Sequence, residues 1–202
     1  MRAKVYISIF SAVMLTSASS LFSQTKLSIQ SNSKLWLEGN STLHKYSATT
    51  ADLSGTISVD SLLFADGKTS LSKPFEQVEI TIPVKRLLSG NEKLDNNMYE
   101  ALKANDYPNI TYRMISDSLI SSVEKDSMTL KTTGKLSVAG KEKVVDIIIT
   151  AIKKQDNTLS IKGSQEFLMT DFEVAPPSMM LGLLKTDNKV VIHFDVQLKP
   201  QQ

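Results

Sequence analysis

The chain contains no cysteine, and this absence removes several classes of protein. Without cysteine there is no disulfide scaffold, no thiolate metal site, no cysteine nucleophile and no cysteine to carry the acyl chains of a lipoprotein. The fold must therefore be stabilised by an ordinary hydrophobic core. With 202 residues, the chain is long enough to build one.

Phosphate-binding loops and net charge are also lacking. The eight glycines are scattered, and none has the GxGxxG or Walker spacing that cradles phosphate groups. The chain has 23 basic and 21 acidic residues, but Arg2 and Lys4 lie in residues 1–23, which hold no acid. The rest of the chain therefore has 21 residues of each sign. A domain without net charge lacks the excess of positive charge that attracts nucleic acid. No nucleic-acid partner is therefore predicted.

The N-terminus has the three-part pattern of a secretory signal peptide. A short basic start precedes the apolar run Val5–Leu15, and small residues follow it. This run is too short to span a bilayer as a permanent helix. We predict a signal peptide over 1–23 with cleavage after Ser23, or alternatively after Ser19. A single exported domain then covers 24–202, and no later apolar run in it is long enough to cross a membrane.

Most of the remaining chain alternates apolar and polar residues with a period of two, which is the pattern of half-buried β-strands. In the clearest segment, five apolar residues from Val190 to Leu198 alternate with a largely polar set that includes His193. Turn sequences such as Ala139-Gly140-Lys141 separate the segments. The same alternation recurs in 78–82, 110–114, 128–138 and 159–167. We predict a mainly β protein of about eight antiparallel strands.

One stretch, residues 91–104, breaks this pattern. Its apolar residues recur at helical spacing, and Tyr107-Pro108 follows and ends the segment. They are Leu94, Met98, Ala101 and Leu102. One amphipathic helix inserted among many short strands favours a closed barrel or a sandwich, because closure removes the exposed edges that would aggregate.

The segment Val144–Ile152 is apolar on both faces, apart from Asp146 and Thr150. A strand whose outer face is apolar is expected to have that face covered. We predict that either the helix or a second subunit covers it.

Trp36 and Tyr46 are large side chains whose direction the alternation does not assign. Leu35 and Leu37 have the opposite parity to Trp36, and Gly39 could mark a bulge that resets the register.

Neither of the two histidines has the surroundings of a catalytic residue. His193 is on the polar face of its strand and is predicted to face solvent. His44 lies in the hydroxyl-rich stretch "STLHKYS", but it follows Ser41 and Thr42 too closely for a triad, and the chain has no GxSxG elbow. We interpret the stretch as a strand segment in which His44 either faces a cavity or hydrogen-bonds the barrel closed. No enzymatic activity is predicted.

Metal ligation is not indicated either. Two distant histidines and scattered carboxylates match no metal-ligand spacing. We therefore predict no metal and no cofactor.

Four separated stretches carry a resemblance to a known family. They are Ser41–His44 ahead of Leu53–Ile57, then Asp95–Tyr112, Gly134–Gly140 and Pro176–Gly182. Their order and spacing resemble the YceI-like family, in particular its ST-L-H subgroup, over about residues 26–199. The resemblance implies a bacterial, periplasmic or secreted protein with a lipocalin-like antiparallel β-barrel. In this family the apolar interior holds a polyisoprenoid or related lipid, and some members are dimers, so a homodimer is a candidate partner.

A lipid site needs apolar positions rather than a special polar group. Met179, Met180 and Leu181 are predicted to line an entrance, or equally to cap the barrel, and His44 to be a polar residue at its rim. The predicted ligand-binding residues on the strands are Ile80, Ile82, Tyr112, Met114, Leu136, Ile147, Ile149, Leu159, Ile161, Phe167, Ile192, Phe194 and Val196. In a filled barrel the same side chains would instead pack against each other.

Two functions are consistent with these features. The favoured one is an exported, non-catalytic lipid-binding or carrier protein. Burying about ten methylene equivalents of an isoprenoid at about 0.8 kcal/mol each contributes about 8 kcal/mol, which is of micromolar order before ordering costs. The alternative is an exported structural or stress-related barrel with a filled core, acting through a protein partner at Val144–Ile152.

Overall fold

The computed structural model describes residues 24–65, 71–122, 126–179 and 184–201. The predicted signal peptide lies outside the described residues, as do Met180, Leu181 and the side chain of Met179. Within the part that is described, no helix has both the length and the apolar character needed to cross a membrane.

Eleven β-strands and one α-helix form within these residues. The strands are β1 (Gln24–Ile29), β2 (Lys34–Ser41), β3 (Lys45–Thr50), β4 (Ser54–Asp60), β5 (Phe75–Pro83), β6 (Asn109–Ser121), β7 (Ser127–Val138), β8 (Lys141–Lys153), β9 (Leu159–Leu168), β10 (Ser178–Met179) and β11 (Leu184–Pro200). The helix α1 spans Glu92–Ala101, and short 3₁₀ turns occupy Ser61–Phe64, Val84–Arg86 and Met169–Phe172.

The strands close into an antiparallel barrel with eight wall strands, two of which are bent. β1 with β2 makes one bent wall strand, and β3 with β4 makes the other. β11 pairs with β9 on one side and with both β2 and β1 on the other, which closes the ring. The predicted barrel of about eight antiparallel strands with one helix is confirmed.

A buried serine holds the bend between β1 and β2. Ser33 Oγ accepts a hydrogen bond from Gln197 N at 3.0 Å and donates one to Gln197 O at 3.3 Å. The serine is only 1% exposed. Gln197 O also accepts from Gln30 N at 2.8 Å, so the hydroxyl is the acceptor for Gln197 N and a second donor to Gln197 O.

The turn predicted at Ala139-Gly140-Lys141 joins β7 and β8. Ala139 has φ 49° and Gly140 has φ 80°, while Val138 and Lys141 form the last pair of the ladder. Two positive φ values in a two-residue hairpin turn match the right-handed twist of the strands. This prediction from sequence is confirmed.

The helix is shorter than the predicted span of 91–104. Asn91 caps its start, because its side chain accepts a hydrogen bond from Leu94 N at 3.1 Å. After Leu102, Lys103 adopts a left-handed φ of 52°, which ends the helix there.

The segment that carries α1 is attached to β3. Thr49 and Leu88 exchange two backbone hydrogen bonds of 2.9 Å, and Tyr99 Oη donates to Leu87 O at 2.8 Å. Ala101 at the end of α1 packs against the cluster that contains Ala139 of the β7–β8 turn, so the helix stands beside the end of the barrel that carries this turn.

Buried apolar side chains fill the opposite end of the barrel, which we call the filled end. Val59, Leu63, Leu130 and Leu159 there have 0% exposure. A smaller cluster around Phe172 lies at the end of the barrel that is next to the helix, where Ala101 of α1 and the following Leu102 pack against it. Buried apolar side chains are thus numerous at the filled end of the barrel and few at the other end.

The outer face of β8 is not covered by α1. Val144 is 63% exposed and Ile148 is 56% exposed. The helix lies instead beside Val84–Arg86. Of the two predicted covers, the helix is wrong, because the segment that carries it is tied to β3 rather than to β8.

Candidate functional site: an apolar cavity in the barrel

A cavity of about 430 Å³ occupies the barrel above the filled end. Its wall is almost entirely apolar, and it opens where the exposed lining residues Leu43, His44, Leu168 and Lys185 lie. We call this opening the mouth. Because the other end is packed, the cavity is a blind pocket rather than a channel through the barrel.

The structure places twelve of the thirteen predicted strand positions on the cavity wall. They are Ile80, Ile82, Tyr112, Met114, Leu136, Ile147, Ile149, Ile161, Phe167, Ile192, Phe194 and Val196. Each comes from the inward-facing parity of its strand, as a half-buried antiparallel strand requires.

Leu159 is the exception among the thirteen. It is fully buried in the core cluster and does not line the cavity. Leu159 is the first residue of β9 and pairs with Leu198, so it faces inward at the filled end, where neighbouring side chains occupy the space.

Three inward-facing glycines are each covered by an aromatic ring from the neighbouring strand. A Cβ on any of them would fall inside van der Waals contact of that ring. The pairs are Gly39 with Tyr46, Gly134 with Tyr112 and Gly163 with Phe194. The missing Cβ leaves room for each ring against the wall, which keeps the middle of the cavity open. A glycine interrupting an alternating strand was the available sequence signal for these close approaches.

The few polar groups of the wall are mostly satisfied within it. Tyr112 Oη donates to Thr132 Oγ1 at 3.1 Å, and Thr132 Oγ1 donates to Ile147 O at 3.2 Å. Burial raises the pKa of the Tyr112 phenol above its usual value. The phenol is therefore neutral and acts as a hydrogen-bonding group rather than as an acid or base at physiological pH.

Tyr46 is the second phenol of the wall. Burial is the main cause that raises the pKa of Tyr46 to about 12, and the negative charge of Asp187 adds to it. Its Oη is buried and has no hydrogen-bond partner among the described residues. Its ring packs over Gly39.

The stretch "STLHKYS" forms the β2–β3 turn at the mouth, so the prediction of a strand segment is wrong for its middle. Ser41 ends β2, Lys45 begins β3, and residues 42–44 connect them. His44 O accepts hydrogen bonds from Ser41 N at 3.0 Å and Ser41 Oγ at 2.9 Å. The His44 side chain is exposed and lines the mouth. Backbone atoms and the Ser41 hydroxyl, rather than the imidazole, make the hydrogen bonds within the turn.

The second histidine lies on the outside of the barrel. The ring of His193 stacks on that of Trp36 with centroids 5.0 Å apart and an interplanar angle of 14°. Glu38 Oε2 is 3.7 Å from its Nε2, and Lys34 Nζ lies 4.7 Å from the Trp36 ring centroid. Trp36 therefore points outward, while Leu35 and Leu37 line the cavity.

Among the residues that the structure describes, no charged side chain lines the deep part of the cavity. The lining residues with a basic side chain are His44 and Lys185, and both are at the mouth. Among the described residues, no group of three or more His, Asp or Glu side chains is close enough together to hold a metal ion. The chemistry that the wall offers is therefore apolar contact with a few neutral hydrogen-bonding groups.

Comparison with solved structures finds the same fold in bacterial proteins. BcnA of Burkholderia cenocepacia is 16% identical, with a TM-score of 0.63 over 84% of this chain and 99% of that one. A polyisoprenoid-binding domain from Saccharophagus degradans, implicated in plant cell wall breakdown, is 13% identical, with a TM-score of 0.64 over 87% and 98%. The YceI protein of Campylobacter jejuni is 20% identical, with a TM-score of 0.56 over 75% and 82%.

Sequence comparison assigns the family. No curated protein matches the chain significantly. The family model described as the YceI-like domain matches residues 26–198, which is nearly all of the chain beyond the predicted signal peptide. The chain belongs to the YceI-like family.

Proposed function

We propose that this protein is an exported carrier that holds a polyisoprenoid or similar amphiphile in its barrel, without catalysis. The observation that carries the proposal is the blind apolar cavity of about 430 Å³. Its volume lies within the range of about 300–1,000 Å³ that is usual for small-molecule sites. The binding named for the Saccharophagus degradans domain supports the same ligand class.

The wall can retain a lipid by burial alone. Each methylene moved from water into the cavity contributes about 0.8 kcal/mol. Many strands contribute the inward-facing residues that line the cavity. The hydrocarbon chain of a lipid in the cavity would therefore be surrounded by apolar side chains on all sides. The packed filled end stops the chain, so lipid enters and leaves through the mouth.

Export and the absence of catalysis are part of the same proposal. The pattern of residues 1–23 supports export. The two histidines support a binding role, because His193 stacks on Trp36 outside the barrel and His44 is exposed in a turn. Within the described part of the chain, neither has a carboxylate that orients it toward the cavity.

The test is to purify the protein from its native host, extract it with organic solvent and identify the lipid by mass spectrometry. We expect about one lipid per protein, and uptake of added isoprenoid by the emptied protein. A matched pair of variants locates the site. Ile147→Trp fills the lumen and should abolish retention, whereas Ile148→Trp adds the same bulk to the exposed outer face and should not. Recovery of no stoichiometric lipid, with no uptake, would refute the proposal.

A second candidate function rests on the exposed apolar side chains Val144 and Ile148 of β8. A protein partner, or a second copy of this chain, would bury them. The lipid extraction separates the two functions, because a barrel acting only through this face would carry no lipid. Chemical crosslinking of the wild type, compared with Ile148→Lys, tests the face directly: loss of the crosslinked species in the variant is expected if β8 is the interface.

A further inference from the structure

Gln165 places an amide on the largely apolar wall of the cavity. Gln165 of β9 lines the cavity between Gly163 and Phe167, at an inward-facing position. It lies opposite Ile192 of β11, which also lines the cavity. A leucine would fit the alternation of this strand, so the amide at this position requires an explanation.

The Gln165 amide is only partly satisfied by the protein. Its Nε2 donates to Glu166 O at 3.2 Å. Among the described residues, no hydrogen bond is made to its Oε1. An amide oxygen that faces an apolar space without a hydrogen bond costs about 1–3 kcal/mol, which a hydrogen bond from a ligand group would recover.

The charges of the wall restrict what that ligand group can be. Gln165 is three residues from Leu168, the end of β9 at the mouth, so it lies roughly 10 Å along the strand from the opening at about 3.3 Å per residue. The basic lining residues His44 and Lys185 are at the mouth, not at this depth. A phosphate or carboxylate beside Gln165 would be buried without a cation, whereas a hydroxyl or carbonyl carries no such penalty.

We propose that Gln165 forms a hydrogen-bonding subsite for a neutral polar group, a hydroxyl or a carbonyl, of the bound lipid. The proposal rests on the lipid-binding function proposed above and adds a specificity to it. The ligand is an amphiphile whose polar group lies inside the barrel. Lipids of equal chain length are thus distinguished by their hydrogen-bonding group rather than by apolar area alone.

The experiment compares three probes of the same prenyl chain length: the alcohol, the hydrocarbon and the phosphate. Their dissociation constants are measured by displacement of a fluorescent fatty acid from the emptied protein. We expect the wild type to bind the alcohol about fivefold more tightly than the hydrocarbon, as one hydrogen bond would give. Gln165→Leu should bind both equally. Gln77→Leu, the same change at an exposed position of β5, should keep the wild-type preference.

Each other outcome overturns the subsite. A Gln165→Leu variant that still prefers the alcohol shows that the Gln165 amide does not bind the polar group of the ligand. If the wild type binds the phosphate most tightly and Gln165→Leu loses that preference, the subsite binds a charged group. That result refutes the proposal that the bound group is neutral. Equal binding of alcohol and hydrocarbon by the wild type refutes the subsite while leaving lipid binding intact. Binding of none of the three refutes the carrier function together with it.

Discussion

Phe194 of β11 lies directly opposite Gly163 of β9, and its ring occupies the space that a Cβ on Gly163 would need. Such a Cβ would be 3.0 Å from Cε2 of Phe194 and 2.9 Å from the carbonyl oxygen of Ile148. The phenyl ring could rotate away, but the carbonyl is part of the β8 backbone and cannot. The pair therefore depends on glycine for space.

The first prediction concerns this pair. We expect Gly163→Val to lower the free energy of unfolding by about 1–3 kcal/mol, because overpacking displaces both the ring and the strand. The displaced ring should also reduce the amount of lipid bound. Urea unfolding and lipid content after extraction measure the two effects. Ser164→Val, at the exposed neighbouring position, should change stability by less than about 0.5 kcal/mol, and equal effects of the two variants would contradict the packing described here.

The second prediction compares the two faces of β11. Phe194→Asp places a carboxylate in the apolar cavity, and we expect it to impair folding or lipid retention. His193→Ala removes a ring that stacks on Trp36 outside the barrel, so lipid retention should be unchanged and stability should fall by no more than about 1 kcal/mol. Thermal unfolding and bound-lipid content are the measurements. Equal losses in the two variants would refute the assignment of faces.

The third prediction concerns the bend between β1 and β2. Ser33→Ala leaves the backbone N–H of Gln197 without its acceptor in a buried site, so we expect a loss of about 1–3 kcal/mol in the free energy of unfolding. Ser31→Ala, two residues earlier and exposed, is the matched control and should be neutral. If denaturant midpoints of the two variants coincided, the serine bridge would not stabilise the bend.

The fourth prediction is a dependence of stability on pH. Asp117 is 4% exposed, and burial raises its pKa despite the hydrogen bond from Phe75 N at 3.1 Å and the nearby charge of Lys73. Because the folded-state pKa is above the unfolded one, Asp117 favours folding most below its ordinary pKa. That contribution is lost as the pH rises through the raised pKa. Asp117→Asn should lack this loss, so its stability relative to the wild type should increase from about pH 3 to about pH 7.

Asp156 provides a comparison of opposite sign. Hydrogen bonds from the Thr158 hydroxyl and backbone N–H, followed by Lys199, lower the pKa of Asp156 to about 2. Its contribution is therefore present above its ordinary pKa and is lost as the pH falls toward 2. Unfolding of Asp156→Asn over the same pH range should show a deficit that disappears in acid. If both variants followed the same pH trend, burial of Asp117 would not be the cause of its behaviour.

The inward face of β11 was predictable from sequence, because a strand with one side against an apolar interior must alternate. The same argument failed for Leu159, since inward parity does not distinguish a side chain at the filled end from one on the cavity wall. It also could not assign Trp36, whose apolar ring lies outside because it stacks on His193 across the ladder. Such contacts depend on which strands become neighbours, and no local pattern encodes that.

The turn at residues 42–44 and the bend at Ser33 were missed for a related reason. Both are stabilised by backbone groups of β11, namely Lys185 and Gln197, which are more than 140 residues away in sequence. One of the two bent wall strands, β1 with β2, is held at its bend by the hydrogen bonds between Ser33 and Gln197. The binding roles of the wall residues stay predictions until a ligand is tested.

The pairing of β11 with β1, β2 and β9 sets the order in which this molecule can assemble. Leu27 pairs with Pro200 and Leu37 with Ile192, so β1 and β2 can pair with β11 only after nearly all of the described chain has been synthesised. Pairings of such long range form slowly, and until then β9 and β2 present unpaired edges that invite aggregation. No enclosed lumen exists in the nascent chain. Under the proposed function, lipid would therefore be loaded only into the completed barrel, and a chaperone that shields those edges during synthesis should raise the yield of folded protein.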